Sequence, residues 1–180
     1  MKEVQAALPG ALQLQTLKQA GIDVDIPEPH DTLEANALEK ARVIHQMTGK
    51  DCFSEDTGLE VAALNGEPGV RSARYAGDKK STDANMKKLL QQLEGTPNRK
   101  ARFRTIVALI LQGQEHLFEG ICEGRIIEAP RGTGGFGYDP IFVPDGSHLT
   151  FAEMTIEEKG AYSHRKKAMA RLVAFLNQQP

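Results

Sequence analysis

The sequence predicts an α/β fold with a mixed sheet. Stretches with apolar residues at helical spacing alternate with β-branched runs, and some of those runs turn back on themselves as hairpins. The 180 residues are enough for one domain with a hydrophobic core, and we take residues 1–180 as that single domain. Apolar residues make up 40% and charged residues 26%, as in soluble globular proteins, so a disordered or fibrous chain is not expected.

Three segments show the periodicity of amphipathic helices. The first covers residues 32–48, is capped by its first residue or by the preceding Asp31, and ends near Gly49. The second covers residues 83–93, and the last runs from about residue 163 to 176. The first helix places its apolar residues at three- and four-residue spacing, namely Leu33, Ala37, Leu38, Ala41 and Ile44.

The strands are predicted from shorter apolar and β-branched runs. Residues 51–54 form a short strand that ends at Glu55 and Asp56, the place where α/β sheets usually carry their ligand sites. Residues 101–111 form a buried strand that pairs with residues 116–122 after a turn. Further strands are expected at residues 124–128 and 138–143.

Charge and composition narrow the possible partners. The net charge of −2 gives no overall attraction to nucleic acid, so a nucleic-acid-binding module is disfavoured. Basic residues gather locally at 99–104 and 165–167, which suits a small polyanion such as a triphosphate better than a duplex. Cys52 and Cys122 lack CxxC spacing and are expected to be reduced thiols, which fits the cytoplasm. No stretch resembles a signal peptide or a membrane span.

Acidic residues are the first candidates for chemistry. Glu55 and Asp56 are adjacent, so on a strand they point to opposite faces and only one enters a given site. An ordinary solvated turn at residues 54–60 is the alternative. Glu28 lies in a Pro-rich segment and alone is a loop carboxylate. If it meets Asp56 in space, the pair can hold Mg²⁺, which takes one or two protein carboxylates.

A Gly-rich loop is the second candidate. Residues 132–137 lack the Gly-Lys-Ser/Thr ending of a P-loop, but they give backbone freedom beside Phe136 and Tyr138, either of which could stack on a base. The alternative is a hairpin turn with aromatic residues in the core.

The start of the last helix is the third candidate. Free N–H groups there favour anions or carbonyl oxygens, and Arg165 can donate several hydrogen bonds to a carbonyl edge. Lys159, Ser163 and His164 lie beside it in the sequence. The alternative is a basic surface of an amphipathic helix. Lys40, on the polar side of the first helix, either neutralises phosphate or faces water.

Taken in order, these segments resemble the inosine/xanthosine triphosphate pyrophosphatases, from about residue 2 to residue 176. The strings that carry the resemblance are residues 31–37, 55–61, 64–70, 72–77, 134–140, 151–154 and 157–165. The resemblance implies an elongated mixed sheet flanked by helices, two lobes with a central cleft, and a homodimer. It also implies Mg²⁺-dependent hydrolysis of ITP, dITP or XTP to the monophosphate and pyrophosphate.

The resemblance further implies a role for individual residues. Asp56 is the expected general base and approaches the metal, and Glu28 is the other metal-linked acid. Thr57 is expected to touch the substrate. The expected nucleoside-site residues are Phe136, Gly137, Tyr138, Asp139, Lys159, His164 and Arg165. Donors aimed at a 6-oxo group would discriminate against adenine, whose 6-amino group is itself a donor.

The sequence departs from the family at two places. Glu55 stands where the family more often has Asp. Family members also begin with a hydrophobic strand and a Thr/Ser-x-Asn-x-x-Lys loop that holds the triphosphate, whereas residues 1–8 match the helix that follows this loop. We therefore expect this chain to be poorly active and less stable than a version extended upstream. The alternative function is a catalytically weak nucleotide-binding or dimerisation protein.

Overall fold

The computed structural model describes residues 13–179. The helices are α1 (Leu33–Thr48), α2 (Thr82–Gln92), α3 (Ile156–Tyr162) and α4 (His164–Leu176). The strands are β1 (Cys52–Val61), β2 (Pro68–Gly69), β3 (Lys100–Leu111), β4 (Gln114–Ile126) and β5 (Phe142–Pro144). The helix predicted for residues 1–8 lies outside the described residues, so the expectation about the chain start stays a prediction.

The three predicted helices are confirmed, and their ends follow from local chemistry. In α1 the Thr32 side chain accepts a hydrogen bond from the Ala35 N–H. Gly49 closes the helix in the left-handed conformation, which glycine adopts without steric cost. Of the two candidate caps, Thr32 is therefore the one used. In α4 the Ser163 side chain accepts from the Lys166 N–H in the same way.

The sheet has five strands among the described residues, in the order β2-β1-β3-β4-β5. Every pairing between these strands is antiparallel, so the prediction of a mixed sheet is wrong for this part of the chain. The α/β class is confirmed, and β3 and β4 are long enough to give the sheet an elongated form.

Two strand predictions also need correction. The strand predicted to end before Glu55 continues to Val61, because β1 pairs with β3 along its whole length. The two strands predicted at 116–122 and 124–128 are one strand, β4. Gly124 suggests an interruption, yet the structure uses it for close packing: a Cβ there would lie 2.3 Å from the Val143 carbonyl oxygen of β5. The last predicted strand is reduced to β5, after a 3₁₀ turn at Asp139–Ile141.

The hydrophobic core divides along the length of the long strands. At one end, alternate residues of β3 face different helices. One set packs with α1, namely Ile106, Ala108 and Ile110. The other set packs with α4, namely Val107 and Leu109. At the other end a separate cluster is built on Phe103, Phe142 and Phe151. This division matches the expected two lobes, whereas the cleft between them stays a prediction.

No helix among residues 13–179 is long and apolar enough to cross a membrane.

Candidate active site

The structure brings Glu28 and Asp56 together through one cation. The Lys40 Nζ atom, on α1, lies 2.5 Å from Glu28 Oε1 and 3.2 Å from Asp56 Oδ1. The three side chains are largely shielded, with exposed fractions of 18% for Lys40, 30% for Glu28 and 11% for Asp56. We call this group the acid–lysine cluster. Shielding matters because charges interact more strongly away from water.

Asp56 is the most shielded member of the acid–lysine cluster. Its Oδ2 atom is buried and has no hydrogen-bond partner within residues 13–179. Burial raises the pKa of the Asp56 carboxyl, Lys40 opposes that rise, and the negative charge of Glu28 adds to it. An unpartnered buried carboxylate oxygen calls for a water proton or a cation.

Two side chains hold the Glu28 segment in place, and the sequence reasoning missed both. Asn36 is fully buried on α1 and ties the chain at His30 by two bonds. Its Oδ1 accepts from the His30 N–H at 3.0 Å, and its Nδ2 donates to the His30 carbonyl at 3.1 Å. Arg74 donates from Nη2 to the Glu28 carbonyl at 3.1 Å, and its Nη1 lies 3.7 Å from Glu28 Oε2. The contact of Arg74 with Glu28 spans 46 positions, so local spacing gives no signal for it.

Neighbouring residues of β1 face opposite sides of the sheet, as their adjacency predicts. Asp56 points to α1, while the Glu55 carboxylate contacts Arg165 of α4. Thr57 shares the Glu55 face, and its Oγ1 lies 2.7 Å from Oγ1 of the buried Thr105. One of these two hydroxyls donates to the other. If Thr57 accepts, its own proton is free for a further bond, and if it donates, its oxygen can still accept one. Thr57 therefore retains a hydrogen-bonding capacity toward a substrate.

The Gly-rich loop places an exposed ring over a buried ion pair. The Asp139 carboxylate is 3% exposed, and its Oδ2 accepts from the Phe136 N–H at 2.9 Å and from Lys159 Nζ at 2.5 Å. The same Nζ lies 4.8 Å from the centroid of the Phe136 ring. Gly135 makes this possible, because a Cβ there would fall 2.1 Å from Asp139 Oδ2. Phe136 itself is 68% exposed.

Tyr138 does not belong to this exposed surface. The side chain is 4% exposed within the hydrophobic core, and its hydroxyl donates to the Ser72 carbonyl at 2.8 Å. Burial raises the pKa of the phenol well above its usual value. The ring therefore packs as a core aromatic residue, the alternative given above for this loop, and a part for Tyr138 in the nucleoside site stays a prediction. Gly137, beside it, has a positive φ and open space around its Cα.

His164 lies at the start of α4 as a shielded, neutral ring. It stacks on Phe103 with centroids 4.9 Å apart and planes 11° apart. Burial lowers the pKa of the imidazole to about 3, and the positive charges of Arg165 and Lys159 lower it further. Its buried Nδ1 has no hydrogen-bond partner among the residues described. A neutral imidazole can donate or accept a hydrogen bond, and here its Nδ1 is enclosed by protein atoms.

Aromatic contacts join the loop to the start of α4. Lys159 Nζ lies 5.1 Å from the centroid of the Phe151 ring. Phe151 stacks on Phe103, which in turn stacks on His164. Six of the predicted nucleoside-site residues are therefore brought to one side of the sheet, and we call them the loop–helix cluster: Phe136, Gly137, Asp139, Lys159, His164 and Arg165.

The two clusters lie on opposite faces of β1. Within residues 13–179, no hydrogen bond or ion pair joins Glu28, Lys40 or Asp56 to the loop–helix cluster. The connection runs through β1 itself, because Glu55 precedes Asp56 and binds Arg165. The same part of the chain contains no group of three or more His, Cys, Asp or Glu side chains placed to hold a metal ion. Two carboxylates are sufficient for Mg²⁺, which keeps most of its water.

Comparison with known proteins decides the family. The model of the Ham1 family matches residues 1–175. This chain belongs to the Ham1 family. The dITP/XTP pyrophosphatase of Porphyromonas gingivalis is 50% identical over 177 residues, which cover 98% of this chain and 91% of that protein. The protein of the same name from Flavobacterium johnsoniae is 49% identical over 174 residues, covering 97% and 91%.

Solved structures give the same result. The Staphylococcus aureus Ham1 protein superposes with a TM-score of 0.91 at 37% identity, covering 98% of this chain and 92% of that one. The resemblance drawn from the sequence motifs is therefore confirmed at the level of family and fold.

Proposed function

We propose that this protein hydrolyses non-canonical purine nucleoside triphosphates, namely ITP, dITP and XTP, to the monophosphate and pyrophosphate. Two kinds of support combine. Relatives at about half identity are named dITP/XTP pyrophosphatases. The observation that carries the proposal is the shielded Asp56 carboxylate, which shares Lys40 with Glu28 and has one oxygen unpartnered in the part of the chain that the structure describes. The homodimer and the cytoplasmic location stay predictions.

Asp56 is the proposed general base. A carboxyl whose pKa is raised by burial accepts a proton more readily than an exposed one, and its free Oδ2 can receive that proton from a water molecule. Lys40 holds Oδ1, so the direction of Oδ2 is fixed. The water oriented in this way would attack the α-phosphorus, and pyrophosphate would leave.

Glu28 and Asp56 are the residues that would hold Mg²⁺. The fit rests on the donor set, two carboxylates that already share one cation, and on the unpartnered Oδ2 atom. When bound, the ion would offset the negative charge of the phosphates and polarise them. Lys40 and Arg74 are cations of the described residues that contact Glu28.

The loop–helix cluster is the proposed purine site. Phe136 offers an exposed ring for stacking, with Lys159 and the Asp139 carboxylate holding its loop. His164 and Arg165 offer hydrogen bonds to the base edge. Arg165 can only donate, so it favours the 6-oxo group of hypoxanthine or xanthine over the 6-amino group of adenine. A mismatched donor of this kind costs about 1–3 kcal/mol.

The test is hydrolysis of ITP, dITP, XTP, GTP and ATP by the purified chain, with Mg²⁺ or with EDTA. Products are followed by ³¹P NMR, which separates pyrophosphate from phosphate. We expect IMP and pyrophosphate from ITP in the presence of Mg²⁺, and much slower turnover of ATP. Release of phosphate instead of pyrophosphate, or equal rates for ATP and ITP, would contradict the proposal. No turnover of any of the five would favour the weak nucleotide-binding alternative.

A further inference from the structure

Among residues 13–179, Arg165 contacts the sheet through a single nitrogen, Nε. Its Nε lies 2.8 Å from Glu55 Oε1 and 3.0 Å from Oε2. Its two Nη groups donate no hydrogen bond within the described part of the chain. A guanidinium has five N–H donors in a fixed planar arrangement, and four of them are on the Nη atoms. Glu55 therefore fixes the plane of the group while leaving its outer edge open.

The surroundings make this arrangement directional. Arg165 is the second residue of α4, whose first turn is capped by Ser163. The preceding His164 ring is stacked on Phe103, so the backbone at this point is held by packing. The Arg165 side chain is 46% exposed and Glu55 is 35% exposed, so the guanidinium has many alternative orientations without its partner.

We propose that Glu55 is a positioning residue that orients the Nη groups of Arg165 toward the base edge of the substrate. This inference rests on the proposed function. It assigns to Glu55 a part in purine selection, although Glu55 itself touches no substrate and the adjacent Asp56 serves the phosphate end. A strand thereby contributes consecutive residues to both parts of the site.

A purely electrostatic role for Glu55 predicts the opposite change in KM when the carboxylate is removed. A carboxylate that only adds negative charge beside the site repels a triphosphate, so its removal would lower KM for every nucleotide. A carboxylate that positions Arg165 improves binding of a 6-oxo purine, so its removal raises KM for ITP and leaves ATP hydrolysis unchanged. Glu55→Gln distinguishes these two roles further, because its amide oxygen still accepts a hydrogen bond from Arg165 Nε but carries no charge.

The experiment compares steady-state kinetics of the wild type with four variants at Glu55 and Arg165, three single and one double. For Glu55→Ala we expect KM for ITP to rise about tenfold with kcat within about twofold, since one charge-assisted hydrogen bond is lost. Glu55→Gln should recover most of that loss. Arg165→Ala should raise KM at least as much, and the double variant Glu55→Ala/Arg165→Ala should be no worse than Arg165→Ala alone.

Glu115→Ala is the matched control. It breaks a similar exposed ion pair, in which Arg42 Nε lies 2.6 Å from Glu115 Oε1. Like Glu55→Ala, it removes one negative charge, but at a position outside both clusters. We expect its KM for ITP to equal that of the wild type. An unchanged or lower KM in Glu55→Ala, or additive effects in the double variant, would overturn the inference while leaving the proposed function intact. A wild type that does not hydrolyse ITP overturns both.

Discussion

The acid–lysine cluster and the loop–helix cluster treat charge in contrasting ways. In the first, the ammonium of Lys40 is shared by two carboxylates, and one Asp56 oxygen is buried without a partner among the described residues. In the second, the ion pair of Asp139 and Lys159 is complete, and the unused groups are a ring, an imidazole nitrogen and the Nη groups of Arg165. The first is built to handle a proton or a cation, and the second to recognise a base.

This contrast implies that the two clusters respond differently to substitution. Changes in the acid–lysine cluster should alter the rate of the chemical step, because Asp56 is the proposed base for the attacking water. Changes in the loop–helix cluster should alter KM and nucleotide preference, because its unused groups need a ligand to complete them.

The largest effect is expected for Asp56→Asn. Loss of a general base lowers kcat by roughly 10²- to 10⁴-fold. The fold should be as stable as the wild type or slightly more so, because burial of the ionised carboxylate is unfavourable at neutral pH, as its raised pKa shows. Turnover of ITP and thermal unfolding measure the two quantities. Asp78→Asn, in an exposed loop, is the control and should change neither. A variant that keeps wild-type kcat would remove Asp56 from the mechanism.

A smaller effect is expected for Phe136→Ala. The ring is exposed, so its removal should leave the melting temperature unchanged, while the loss of stacking raises KM for ITP about tenfold. Phe136→Tyr keeps a ring and should behave like the wild type. Leu117→Ala removes another exposed apolar side chain, far from the loop, and serves as the control. If KM is unchanged in Phe136→Ala, the exposed ring has no part in base binding.

The smallest effect concerns His164 and pH. Its pKa is lowered to about 3 in the fold and rises to about 6.5 on unfolding, so the unfolded state binds the extra proton between these values. Stability should therefore decrease as pH falls below about 6.5, by at most roughly 1.4 kcal/mol per pH unit from this residue. In His164→Phe, which keeps the stack on Phe103, this contribution should vanish. Urea unfolding at pH 6.5 and 5.0 compares the two proteins, and identical pH dependence would contradict a neutral buried imidazole.

Local signals in the sequence were sufficient to predict where these helices begin and end. Thr32 and Gly49 mark the ends of α1 by cap chemistry that acts within a few residues. The same holds for Ser163 at α4. The family motifs likewise identified Glu28 and Asp56 as partners, which the shared Lys40 supports.

Long-range contacts explain what the sequence did not reveal. The sequence of residues 55–58 is typical of a turn, but in the structure it is part of a strand that pairs with β3. Its two carboxylates form ion pairs with cations from α1 and α4. Tyr138 was ambiguous because a ring beside glycines is equally suited to a base or a core. Only packing shows that Phe136 is exposed and Tyr138 buried. The partnership of Glu55 and Arg165 spans 110 positions, so no local pattern predicts it.

The β3–β4 hairpin has a consequence for how the chain assembles. Its ladder begins at Leu111 and Gln114 and continues to Lys100 and Arg125, so it closes from a very short connection. Short loops lose little entropy on closure, and such hairpins form on the microsecond timescale. β1 pairs with β3 from a more distant part of the chain, so we expect it to dock after the hairpin has formed. The order of folding would thus supply the scaffold first, and the acids of β1 would meet their cations only as the later strand docks.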